Sequence, residues 1–157
     1  MDPSTWDPSR YYHQLVDNAG DGIVLADRDG VIRLWNKGAE ALFGYSQEEA
    51  LGKSLDLIVP ERFRERHWEG YRRVMATGVT RYGDRLLSVP AARKDGSRIS
   101  IDFTLTLLRD SDGKVAGAGA IVRDVTEQWR REKALKESLE ALERAKGPGN
   151  SSGLQVK

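Results

Sequence analysis

Strand-forming sequence stands on both sides of the middle of this chain and helix-forming sequence lies between, and that division restricts the fold more than any other feature. The first block, DGIVLADRDGVIRLWN over residues 21–36, holds two β-rich apolar runs parted by Asp27, Arg28, Asp29 and Gly30. That tetrad is a turn signal with a glycine available for positive φ, so the block predicts a β-hairpin. The second block, residues 84–126, holds three β-rich runs parted by KDGS and DSDGK and predicts a three-stranded meander. Between them, NKGAEALFGYSQEEALGKS changes period: Ala39, Leu42 and Phe43 share a helical face, and Gly44 stops that helix. Ser46 with Glu49 forms a capping box for a second short helix. PERFRERHWEGYRRVMATG then predicts one longer helix from Pro60 to Gly78. Two strands, short helices and three strands make an α+β domain: a five-stranded antiparallel sheet covered on one face by helices, with room for a pocket between.

The flanks are simpler. Residues 1–9 read as a loose leader, followed by a short amphipathic helix over 10–18 with Ser9 as its N-cap and Tyr11, Tyr12, Leu15 and Val16 at helical spacing. The domain proper is expected over 10–125. After it, TEQWRREKALKESLEALERAK over 126–146 is an amphipathic helix in which Leu135, Leu139 and Leu142 recur as in a coiled-coil seam, although Glu132 and Lys146 fall in the same register. A homodimer through this helix is one expectation; a solvated helix is the other. The Gly/Ser/Pro-rich residues 147–157 are expected to be a disordered tail.

Composition excludes several chemistries. The 157 residues include no cysteine, which removes disulfides, thiolate metal sites, a cysteine nucleophile and flavin photochemistry trapped on a thiol, and fits a cytoplasmic location. A net charge of +1 gives no field to draw in nucleic acid. No apolar run reaches the roughly 20 residues of a membrane span. HExxH, GxSxG, Walker and paired-carboxylate patterns are missing, so no enzyme activity is expected. Gly117 and Gly119 lie in an expected strand, where they admit a bulky neighbour or a bulge.

With these elements in place, the chain resembles a PAS domain, the small sensory module of bacterial and archaeal signalling proteins. The resemblance rests on DGIVLADRDGVIRLWNKGAEALFGYSQEEALGKSLDLIVPERF, on RKDGSRISIDFTLT and on GAIVRDVTEQ, and covers about residues 10–128. It implies a sensor whose state passes to the C-terminal helix, and partners such as a histidine kinase or another signalling protein. It also implies that Asp124 and Thr126 of RDVTE tie the last strand to that helix, Thr126 as N-cap.

If residues 60–77 are one helix, Phe63, His67, Gly70, Tyr71 and Val74 form a stripe toward the sheet. A neutral imidazole against an apolar cavity is what an axial haem ligand requires, and Gly70 leaves space one turn on. The motif is similar to that of haem-binding PAS domains of oxygen-sensing kinases and phosphodiesterases. That similarity implies haem b with His67 as the metal ligand, Tyr71 and Gly70 beside it, and Arg85 on the distal side as a hydrogen-bond donor to dioxygen. Two alternatives stay open: another small ligand, or a ligand-free interaction module in which His67 merely bonds a carbonyl. Leu86, Val89, Phe103 and Ile121 could fill the cavity, whereas Gly117, Ala118 and Gly119 argue for room. Trp35 and Asn36 resemble a pair in flavin-binding relatives, but a core residue and an N-cap serve equally. Trp6, Trp35, Trp68 and Trp129 are scattered and read as packing. His13 reads as exposed.

Overall fold

The computed structural model describes residue 2, residues 5–83 and residues 85–147. The expectation of disorder beyond residue 147 concerns residues outside those described. Along the chain run α1 (Pro8–Asn18), β1 (Gly22–Asp27), β2 (Ile32–Trp35), α2 (Lys37–Phe43), α3 (Gln47–Ala50), α4 (Arg64–Thr77), β3 (Leu87–Ala92), β4 (Arg98–Arg109), β5 (Val115–Asp124) and α5 (Thr126–Lys146), with 3-10 turns at Leu55–Leu57 and Glu61–Phe63. Two compact units divide after Val125.

The five strands form one antiparallel sheet in the order β2-β1-β5-β4-β3. Hairpin and meander are thus joined by β1 against β5, with Val24 opposite Ala120 and Ala26 opposite Ala118. Its turns share one chemistry. Asp27 Oδ1 accepts the N–H groups of Asp29 and Val31 at 2.9 and 3.1 Å, and Asp110 Oδ1 those of Asp112 and Lys114 at 2.9 and 3.0 Å. Gly30 and Gly113 close these turns at φ 75° and 79°, values that a side chain would strain.

Side-chain alternation and register decide what faces the helices. Val24, Ala26, Ile99, Ile101, Phe103, Leu105, Leu107, Ala118, Ala120 and Val122 share the inner face. Trp35, Phe43 and Ile32 anchor the main core there, all at most 1% exposed. A smaller cluster of Met75, Val115 and Ala118 packs Tyr71, Val74, Leu105 and Leu107. Gly117 and Gly119 face the other way, which overturns the expectation that they open the cavity. A Cβ on Gly117 would lie 2.1 Å from the Ala26 carbonyl oxygen, and one on Gly119 would lie 2.6 Å from Leu25 Cδ2. Ile121 is likewise outside, 52% exposed, and Leu86 lies before β3 and is exposed, so neither fills an inner cavity.

The helix signals hold with two shifts. Asn36 caps α2, Gly44 ends it at φ 82°, and Ser46 and Glu49 form the capping box of α3. α1, however, begins at Pro8 with Asp7 as its cap, because proline at the first helical position is preorganised and the Asp7 side chain accepts from the Arg10 N–H. The helix expected from Pro60 starts as a 3-10 turn and becomes α-helical only at Arg64, ending at Gly78 with φ 68°. α5 spans the expected residues, and Leu135, Leu139 and Leu142 are exposed along it.

Candidate ligand site

α4, with Phe63 at its N-cap, brings Phe63, His67, Gly70, Tyr71 and Val74 to one face, each half-buried. The sheet residues that pack with this helix are Leu105, Leu107, Val115 and Ala118. The helix is held by its aromatic residues: the Tyr71 hydroxyl donates to the Asp27 carbonyl at 2.5 Å, and the Trp68 indole N–H donates to Asp56 Oδ1 at 2.7 Å. Burial, with Asp27 and Asp29 close by, pushes the Tyr71 phenol up to about 12. Tyr71 is therefore a neutral donor that ties α4 to the β1–β2 turn, and its ring lies 5.8 Å from that of His67.

His67 stands between these anchors. Its ring meets Trp68 edge-on at 4.9 Å. Burial pushes the imidazole below its ordinary value, while the Asp56 carboxylate pulls it back up, so the neutral form is favoured near pH 7. Nδ1 is buried without a hydrogen-bond partner. An unpaired buried nitrogen costs about 1 to 3 kcal/mol, so the fold carries a strong, unused polar group at this position. One turn on, a Cβ placed on Gly70 would meet nothing within 4 Å. A neutral imidazole on a helix packed against an apolar sheet face is the donor chemistry that an axial haem ligand needs. Among the described residues no group of three or more His, Cys, Asp or Glu could hold a bare metal ion.

Arg85 is not brought to His67. It lies in an exposed connection, its N–H bonded to the Tyr82 carbonyl at 2.8 Å, two residues before β3 begins. Leu87 pairs with Phe103, so Leu87 and not Arg85 is the first inward residue of that strand. Continued by two residues, the same register would set Arg85 opposite Leu105, on the inner face.

At the other end of the sheet, Asp124 pairs with Arg93 Nη2 at 2.8 Å, and the Val125 N–H donates to the Ser100 carbonyl at 2.9 Å. Thr126 is the first residue of α5. The strand exit is thus held by the β3–β4 turn through Arg93, a residue that the motif reading did not single out.

Trp35 and Asn36 offer nothing to a flavin. Asn36 Oδ1 accepts from Ile23 and Ala39, and its amide nitrogen donates to the Val16 and Asp21 carbonyls, which exhausts its capacity. The Trp35 indole donates to the Tyr45 carbonyl and is 1% exposed. Two surface hollows lie elsewhere, one lined by Phe43, Gly44, Arg93 and Lys94, the other by Asp27, Arg28, Asp110 and Lys114.

A sheet in this order, with helices inserted between its second and third strands and packed on one face, is the architecture of the PAS fold. A family model described as the PAS fold matches residues 16–130, and the chain belongs to the PAS family. An uncharacterized protein of Azorhizobium caulinodans is 32% identical over 141 residues, 89% of this chain and 19% of that protein. The oxygen sensor protein DosP of Escherichia coli K12 is 28% identical over 145 residues, 85% of this chain and 18% of that protein. The sensor protein FixL of Bradyrhizobium diazoefficiens is 30% identical over 127 residues, 81% of this chain and 25% of that protein. The chain therefore spans a quarter or less of these relatives' length. The PAS domain of a Colwellia psychrerythraea protein is a structural match with a TM-score of 0.68 and 26% identity, covering 77% of this chain and 99% of that domain.

Proposed function

We propose that this chain is the input module of a signalling protein, that it holds haem b through His67, and that it passes the state of that site to α5. The observation that carries this reading is the neutral, half-buried imidazole whose Nδ1 has no partner. The similarity to an oxygen sensor protein supports it. When bound, haem supplies an iron centre that exchanges a diatomic gas. The chain's residues do the rest. His67 provides the ligand nitrogen, Tyr71 walls the site while holding α4 to the sheet, and Gly70 adds no side chain one turn on. Leu105, Leu107 and Ala118 form the dry opposite wall, and Arg85 would serve as a polar donor once its connection continues the β3 ladder inward.

Relay runs along β5, whose inward residues Ala118 and Ala120 share the site's face and whose exit is fixed by Asp124 with Arg93. A shift of the sheet would load this pair and alter the start of α5 at Thr126. The exposed leucines of α5 suit a second copy of the same helix, and the expected partner downstream is a histidine kinase or another cytoplasmic signalling protein. In this reading the role of the module is to sense.

A second reading, a ligand-free interaction module, is favoured by the bulk of Leu87, Phe103, Leu105 and Leu107 on the inner face. Purification after expression with added haem separates the two. A Soret band that His67→Ala abolishes supports the first, and a colourless protein supports the second.

A further inference from the structure

Trp68, which sequence position alone assigns to packing, is held on several sides. Its indole N–H reaches Asp56 Oδ1 at 2.7 Å. Asp56 is itself fixed, because Ser54 Oγ accepts its N–H at 3.1 Å and Arg64 Nη2 donates to its carbonyl at 3.1 Å. The far side of the indole lies on Gly30, where a Cβ would come within 2.1 Å of Trp68 Cη2 and 2.2 Å of Cζ3. Glycine is required there twice, once for the φ of 75° and once for the ring. The indole also meets His67 edge-on at 4.9 Å and 76°, and Tyr71 at 5.5 Å and 73°.

These contacts converge on a single consequence. The Trp68 ring is fixed at its nitrogen by Asp56 and at its benzo edge by Gly30, and the preceding residue in the chain is His67. Edge-to-face geometry ties one ring's orientation to the other. We infer that Trp68, seated between Asp56 and Gly30, is the positioning residue for His67, setting the plane of the imidazole and its height above the sheet. The inference rests on the reading of His67 as the ligand-holding residue. Residues that orient a metal-bound histidine change affinity by about 10- to 100-fold when altered. Trp68 would do so through ring packing, without touching the cofactor.

The positioning can be tested without any cofactor. His13 and His67 are the two histidines of the chain, so proton–carbon spectra of protein labelled at histidine contain one reporter and one internal control. The His67 ring protons should be displaced by the Trp68 ring current and should show one set of signals. In Trp68→Leu the displacement should vanish and the signals should broaden or multiply, while those of His13 stay put. Asp56→Asn keeps an acceptor oxygen and should retain the wild-type His67 signals; Asp56→Ala should move them part of the way. If Trp68→Leu fails to fold, Trp68→Phe, which keeps the ring and loses the N–H donor, should show the intermediate pattern. A single sharp set of His67 signals in both Trp68 variants would overturn the inference, because loss of the ring-current displacement alone follows from removing the indole. Haem titration then addresses the underlying reading separately. Wild-type protein that takes up no haem removes the ligand role of His67 and leaves the spectra to decide the positioning. Haem uptake weakened about 10-fold or more in Trp68→Leu, with the Asp56→Asn protein unaffected, is the result expected if both hold.

Discussion

Replacing Asn36 with alanine should destabilise the domain more than any surface change, and the amount can be worked from its bonds. The side chain is 2% exposed and serves four backbone groups: the N–H of Ile23 at 2.8 Å, the N–H of Ala39 at 2.9 Å, the carbonyl of Val16 at 2.8 Å and that of Asp21 at 3.0 Å. Loss of the α2 cap costs about 1 kcal/mol. An Ile23 N–H left unpaired adds about 1 to 3 kcal/mol, and the two carbonyls, each with a second lone pair, add less. The total is about 3 to 5 kcal/mol, a large part of the roughly 5 to 15 kcal/mol available to a domain. Urea unfolding followed by tryptophan fluorescence measures it, since Trp35 is fully buried next to this residue. Asn36→Asp sharpens the test. It keeps both acceptor bonds but sets a carboxylate against the Val16 and Asp21 carbonyls, so its folded-state pKa should rise. Stability should then be closest to wild type in acid and fall further behind as pH rises toward neutral. A loss below about 1 kcal/mol for Asn36→Ala would refute the account of Asn36 as the bond linking α1, β1 and α2.

Three further outcomes follow from the same structure. Tyr71→Phe should lose about 1 kcal/mol at neutral pH, for the bond to Asp27. The wild-type phenol is pushed from 10.0 to about 12, so the stability it contributes is complete below pH 10 and lost between 10 and 12; alkaline unfolding of the variant should be less steep there. Arg93→Gln, which breaks the ion pair with Asp124, should speed amide exchange at residues 122–126 and leave α4 unchanged, with a stability loss under about 1 kcal/mol. Truncation after Thr126 removes Leu135, Leu139 and Leu142 and should shift the mass measured by light scattering toward monomer, and an unchanged mass would place self-association elsewhere.

What was readable from residues alone was the local code. The DRDG and DSDG turns, the Gly44 and Gly78 stops and the Ser46–Glu49 box each depend on neighbours a few positions away, and each appears where its chemistry puts it. Long-range register was not readable. The direction of Gly117 and Gly119 depends on how β5 pairs with β1 and β4, including the irregularity between Leu108 and Arg109, and one residue of slip exchanges the faces. His67 could be placed on the buried side of its helix by spacing. Its surroundings could not, because Gly30 lies far away in sequence and Asp56 sits in a separate turn, where it holds the Trp68 indole and acts on the imidazole through its charge. Trp68 sits one residue off the apolar stripe, so the period that singled out His67 passed over it. For Arg85, the sequence position suggested the site, and the strand that would carry it inward begins two residues later, at Leu87.

The central claim is that His67 holds a haem. The most direct measurement is the visible absorption spectrum of the protein purified after expression with haem in excess, compared with His67→Ala prepared identically and shown by circular dichroism to keep its fold. The wild type should show a Soret band and the variant should lose most of it, with Arg85→Ala keeping the band. A wild-type protein that remains colourless, or a variant that keeps its band, would contradict the claim.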